Sequence, residues 1–157
     1  MTQNPNVVEL CPSSPDKPAK YFTQVFVSDK VKIPEQKPPK EQIVNIQRII
    51  TLEDVETIEV EVSGQVGKKV FVAGNVYLGV QYSAKRPEQT VHYVRFQLPF
   101  QAIILTDCGK LIDPADPIFD NGYVVHVCVE KLHKKQIDER TILFEILLLV
   151  WLEELQP

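Results

Sequence analysis

His126 and Cys128 stand two apart in a run of β-branched residues, so on a strand they share one face. An imidazole beside a thiolate is the start of a zinc or transition-metal site, and equally of a cysteine nucleophile with its base. Neither chemistry is complete. A metal would need His133 or Cys108 to join the pair, and no Cys-x-x-Cys spacing fixes either one. A nucleophile would need an orienting group and a positive microenvironment, which these residue types do not supply by themselves. The plainer expectation is a buried cysteine acting as a small hydrophobe beside a hydrogen-bonded histidine. Asp107, Asp113, Asp116 and Asp120 offer oxygens to calcium, but their spacing departs from the Asp-x-Asn/Asp-x-Asn/Asp-Gly loop. Aspartates beside proline and glycine are ordinary turn formers. There is no Gly-x-Ser-x-Gly, phosphate loop or dinucleotide fingerprint, and Gly64 to Gly67 lies between strands instead of before a helix. The expectation is a protein with no catalytic residue, no metal and no cofactor.

Cys11 is a different case. Residues 1–20 carry Pro5, Pro12, Pro15 and Pro18 among Ser, Asn, Asp and Lys, a composition that does not pack a core. The expectation is a flexible N-terminal arm in which the Cys11 thiol is unshielded. Such a thiol either has no role or forms a disulfide from one subunit to another, helped by the high local concentration of an assembly.

The elements that would position these residues are strands. Phe22, Val25, Phe26, Val27, Val31 and Ile33 suggest one or two of them before Pro34, and a short helical turn is expected near Lys40. In Thr57 to Val62, Ile58, Val60 and Val62 alternate with Thr57, Glu59 and Glu61, which predicts valines toward the core and carboxylates in water. Gly64 to Lys68 forms a hairpin turn. Val70 to Tyr82 follows, with Val70, Val72, Val76, Leu78, Val80 and Tyr82 on one face, and Gly74 and Gly79 marking a bulge, bend or close approach. A turn at Ala84 to Gln89 leads to His92, Val94, Phe96, Leu98 and Phe100; Pro99 places this strand at an edge or bulge. Asp107 to Gly122 reads as a loop, then Tyr123 to Leu132 and Thr141 to Leu155 as a last pair of strands. In the last one, Ile142, Phe144, Ile146, Leu148 and Val150 line one side and Leu143, Leu147, Leu149 and Trp151 the other. A strand is favoured there over a helix. Leu147, Leu149 and Trp151 are either core or an interface with another molecule. The whole predicts an all-β fold, an antiparallel β-sandwich or open barrel of about seven or more strands.

Bulk properties narrow the partners. At 157 residues the chain suits one domain, expected over residues 21–157 behind the arm. A net charge of -4 argues against nucleic acid or an anionic membrane surface. Met1 to Lys20 lacks the apolar centre of a secretory signal, which predicts a protein made and kept on the cytoplasmic side. Ile142 to Leu152 is shorter than the ~20 residues that span a bilayer, and it contains Glu145.

One stretch carries more than composition. Pro34-Glu35-Gln36-Lys37-Pro38 followed by Glu41-Gln42-Ile43, then Val70-Phe71-Val72-Ala73-Gly74 and Leu98-Pro99-Phe100, resembles the SPOCS domain, a family named for structural proteins of the clostridial spore surface. The similarity covers about residues 20–155, with Pro34, Lys37, Pro38, Gly74, Pro99 and Phe100 its most specific positions. It implies a non-enzymatic structural protein, made in the mother cell and deposited on the endospore surface. The implied partners are further copies, in an oligomer, lattice or filament, and other spore-coat proteins. The chain holds one copy of the domain and shows no LysM-like module after it, so a small assembly subunit is expected instead of an adaptor. The competing expectation is a carbohydrate- or small-molecule-binding sandwich that uses Tyr77, Tyr82 and Tyr93 as a stacking surface.

Overall fold

Among the described residues every long element is a strand, and alternation explains why. In the computed structural model, which describes residues 7–12, 19–84, 91–106 and 108–156, the order is β1 (Phe22–Lys32), β2 (Lys40–Val62), β3 (Gln65–Ala84), β4 (Val91–Ile104), α1 (Pro117–Asn121), β5 (Tyr123–Gln136) and β6 (Thr141–Glu154). The even-numbered residues of β3 from Val70 to Tyr82, those of β4 from Val94 to Ile104 and those of β6 from Ile142 to Leu152 are all buried. One residue in two therefore faces the core, as strand geometry requires. β6, where helix and strand competed on sequence, is a strand.

The strands form two antiparallel three-stranded sheets, β2-β3-β4 (sheet A) and β1-β6-β5 (sheet B). Sheet A is a meander. Sheet B places the last strand between the first and the fifth, with Phe26 opposite Leu147 and Cys128 opposite Leu149. The inner faces share one core, in which Phe96 of sheet A lies 6.3 Å from Phe144 of sheet B, ring to ring.

The sheets are joined at one side by backbone. Residues 7–11 run between the edges of β2 and β5: Val7 bridges Thr51, Glu9 bridges Val127, and amide donations link Val8 to the Ile50 carbonyl, Val127 to Val8, and Leu10 to Val127. Six long strands plus this short seventh segment make a sandwich that is partly closed into a barrel. The expectation of a flexible arm over residues 1–20 thus meets a contrary observation at residues 7–11. Its composition is poor in core formers, but edge pairing uses main-chain groups, which every non-proline residue has.

Other differences from expectation have local causes. The region near Lys40 is strand, not helical turn, because β2 continues unbroken past three register shifts, between Lys40 and Gln42, Ile43 and Asn45, and Leu52 and Asp54. Ile58 and Val60 are half-buried and Val62 is exposed, since the β2–β3 hairpin runs past the end of β4, which pairs only as far as Val70. Pro99 sits on β4, an edge strand, with its side exposed; β4 stays in sheet A throughout. The loop after β4 contains the short α1, capped by Asp116. The Ala84 to Gln89 turn lies largely outside the described residues.

Candidate functional site

Ile33 to Lys40, the join between the two sheets, contains Pro34, Lys37 and Pro38, the proline-rich run singled out in the sequence. Pro34 fixes a turn closed by the Lys37 amide on the Pro34 carbonyl (3.0 Å). That turn leaves carbonyls pointing away from any strand partner, and the β5–β6 connection meets them. Arg140 Nη1 donates to the carbonyls of Pro34 (2.9 Å) and Lys37 (2.8 Å), while Tyr82 Oη donates to that of Pro38 (2.8 Å). In return the Ile33 and Lys40 amides donate to the carbonyls of Arg140 (2.7 Å) and Glu139 (2.9 Å), and the buried Lys40 ammonium donates to the Asp138 carbonyl. Pro34, Lys37 and Pro38 shape a clamp between the sheets, beside a depression lined by Lys32, Glu35, Asp138, Glu139 and Arg140.

Gly74 and Phe100, two other motif positions, meet inside sheet A. Gly74 pairs with Phe100 in register, and a Cβ at 74 would meet the Thr51 carbonyl oxygen and the Phe100 ring. Its glycine permits close strand approach, one of the alternatives that the sequence left open.

The arm's second anchor is covalent. Cys11 and Cys128 form a disulfide, their Cα atoms 4.5 Å apart and 117 residues apart in sequence. In this bond Cys128 has no thiolate to offer a metal or a substrate, and Cys11, which the sequence left either without a role or joined to another subunit, has its partner within the one chain. The cause is the strand pairing just described, which lays Cys11 over the outer face of β5. Trp151 Nε1 donates to the Leu10 carbonyl (3.0 Å), and the His126 ring packs on Trp151 at 4.8 Å. His126 and Cys128 do share a face, as their spacing predicts. His126 turns to Glu153 (3.2 Å) and His133 to Glu145 (3.5 Å). Cys108 is exposed in the turn after β4.

The outer face of sheet B carries an apolar patch. Phe22 pairs with Trp151 and Phe26 with Leu147, so these side chains lie with Leu149 on the side away from the core. Trp151 is covered by Leu10 and His126, but Phe26 is 63% exposed and Phe22 40%. Leu147 and Leu149 are half-buried beside them. The alternatives of core and interface therefore divide: Trp151 is buried under the arm, whereas Leu147 and Leu149 belong to a surface patch. Phe22 and Phe26 were missed as its partners; the strand register alone reveals them.

The outer face of sheet A mixes polar groups with exposed apolar ones, Ile49, Val91 and Ile103 among them. Tyr77 lies under the Arg95 guanidinium at 4.5 Å, Tyr93 covers Gly79, and Gln97 donates to Asn75 (3.0 Å), which donates to Glu53. Tyr82 is fully buried on the opposite face, so the three tyrosines do not form one stacking surface.

Asp113 and Asp116 hold local structure. Asp116 caps α1 through the Ile118 amide (3.0 Å) and accepts from Lys20 (3.0 Å) and Tyr21. Burial pushes its carboxyl up, but the Tyr21, Ile118 and Lys20 donors outweigh this and hold it below the usual carboxylate range. Asp113 accepts from the Ala115 amide (2.9 Å) in a turn. Asp107 lies outside the described residues. Among the described residues no three His, Cys, Asp or Glu side chains gather as a metal set, and no helix is long and apolar enough to cross a membrane. A further surface depression, about 690 Å³, is lined by Val62, Ser63, Gln65 to Gly67 and Lys110 to Pro114, with Lys110 and Asp113 its charged residues.

Comparison with curated proteins and with solved structures finds no match. Residues 41–109, which hold almost the whole of sheet A, match the family model described as SipL, SPOCS domain; Gly74, Pro99 and Phe100 lie inside the match, and Pro34, Lys37 and Pro38 lie before it.

Proposed function

We propose that this chain is a non-enzymatic structural protein of sporulation that self-associates, or docks to other coat proteins, in the outer layers of an endospore. The family match supports the link to sporulation. The observation that carries the self-association is the Phe22, Phe26, Leu147 and Leu149 patch, four apolar side chains held on paired strands with little freedom left to lose on binding. Lys30 and Lys135 lie toward one end of this face and Glu153 toward the other, so two copies packed antiparallel bring opposite charges together. The carbohydrate-binding alternative keeps only Tyr93 as an open ring, since Arg95 covers Tyr77 and Tyr82 is in the core.

Light scattering and negative-stain microscopy of the purified protein test the proposal. Wild type is expected to form dimers or larger sheets, tubes or filaments as concentration rises, and Phe26→Asp to remain a folded monomer. A wild type that stays monomeric at every concentration, or a Phe26→Asp variant that assembles unchanged, overturns the reading.

A further inference from the structure

The slot between β2 and β5 is filled by a segment that holds on by few contacts. Residues 7–11 contribute three main-chain hydrogen bonds, the Arg48–Glu9 ion pair (2.7 Å), the Leu10 carbonyl to Trp151, and the Cys11–Cys128 bond. Val7 and Leu10 are each 47% exposed, so of the arm's large aliphatic side chains only Val8 packs against the core. Every one of these contacts is as available to residues 7–11 of a second molecule as to the chain's own. Vacating the slot leaves two strand edges open side by side, a template for an incoming extended segment.

We propose that this slot is a docking site for residues 7–11 of a second copy, and that the Cys11–Cys128 bond fixes whichever arm occupies it. The proposal deepens the self-association reading and rests on it. Formed within one chain, the bond closes a monomer; formed between chains, the same two sulfurs staple neighbours. The closed and exchanged forms share their contacts and differ mainly in the entropy of connection, so crowding of copies shifts the balance toward exchange. The bond forms with a small disulfide such as glutathione disulfide as oxidant. One cysteine thiolate attacks it, giving a mixed disulfide and one glutathione thiolate. The other cysteine thiolate then attacks the protein sulfur of that mixed disulfide and expels the second. Two electrons pass from the cysteines to glutathione, and the two cysteine protons end on its two thiols.

Complementary variants test this. In a Cys108→Ser background, Cys11→Ser keeps the slot cysteine and Cys128→Ser keeps the arm cysteine, so neither closes the bond in its own chain. Mixed at about millimolar concentration and treated with glutathione disulfide, they are expected to give a covalent heterodimer. Peptide mapping should find Cys11 of one chain joined to Cys128 of the other. Val8→Pro in the arm donor removes the amide that donates to Ile50 and should lower the yield about tenfold. Circular dichroism of each variant checks that the sheets persist. Glutathionylated monomers alone, or a heterodimer whose yield ignores Val8→Pro, overturns arm exchange. Such a result beside Phe26-dependent assembly of the wild type would leave self-association through sheet B standing, which separates the two failures.

Discussion

Arg140→Ala is expected to loosen the clamp between the two sheets. The substitution leaves the Arg140 carbonyl to accept from Ile33, so only the side chain is tested. Two carbonyls, of Pro34 and Lys37, lose a charged donor at 2.9 and 2.8 Å. A hydrogen bond to a charged group contributes about 1.5–3 kcal/mol when well shielded. The Arg140 side chain is 24% exposed, so water regains access to the freed carbonyls and the pair together should contribute about 2–3 kcal/mol. Glu35, 4.0 Å away and 90% exposed, adds little. Urea unfolding measures the loss: with a slope of about 2 kcal/mol per molar, the midpoint should fall by about 1–1.5 M. Arg140→Lys should recover only part of this, because an ammonium on a flexible stem does not reproduce a planar nitrogen with two fixed N–H directions. A midpoint shift below about 0.3 M, or one matched by Glu35→Gln, would refute the clamp; full rescue by lysine would show that charge matters and geometry does not.

Two further outcomes follow from the packing and the charges. Gly74→Ala should cost about 1–3 kcal/mol, since its Cβ meets the Thr51 carbonyl oxygen, which is backbone. Gly79→Ala should cost less, because it meets the half-exposed Tyr93 ring, which can swing out; equal thermal midpoints for the two variants would count against this account. Asp116 has its folded pKa held below the unfolded value, so the unfolded chain takes up the proton first as pH falls. Its contribution is present above the ordinary carboxylate range and is lost as pH drops through the folded pKa. Thermal midpoints of wild type should therefore fall more steeply below about pH 4 than those of Asp116→Asn, and parallel profiles would remove Asp116 from the acid response.

Alternation made most of the fold legible. Val70 to Tyr82, Val94 to Phe100 and Ile142 to Val150 announce their inward faces because strand geometry sorts side chains by parity, whatever the partner. Parity says nothing about which strands pair. That Phe26 lies beside Leu147, and that β6 divides β1 from β5, depends on contacts more than 100 residues apart in sequence. The Cys11–Cys128 bond was hidden for the same reason: Cys11 sits among prolines, and its fixed position comes from main-chain edges that leave no pattern in side-chain types. The role of Arg140 was equally silent, because an arginine in a charged turn looks like any solvated one. The Pro34 to Pro38 run was visible as an oddity, but its place as a turn needing outside donors emerges only once the β5–β6 connection is seen against it.

The central position of β6 has a consequence for how the chain comes to be folded. A ribosome makes β1 first, yet β1 has no sheet partner until β6, more than 100 residues later, has left the exit tunnel. β2, β3 and β4 pair with their sequence neighbours and can assemble while synthesis continues. Sheet B must wait, and closing so long a loop before any pairing is gained is slow. During that interval the waiting β1 strand displays Phe22 and Phe26, and the sheet A meander its uncovered inner face, to other nascent chains. The final strand thus completes sheet B, and a chain still waiting for it is open to contact with another.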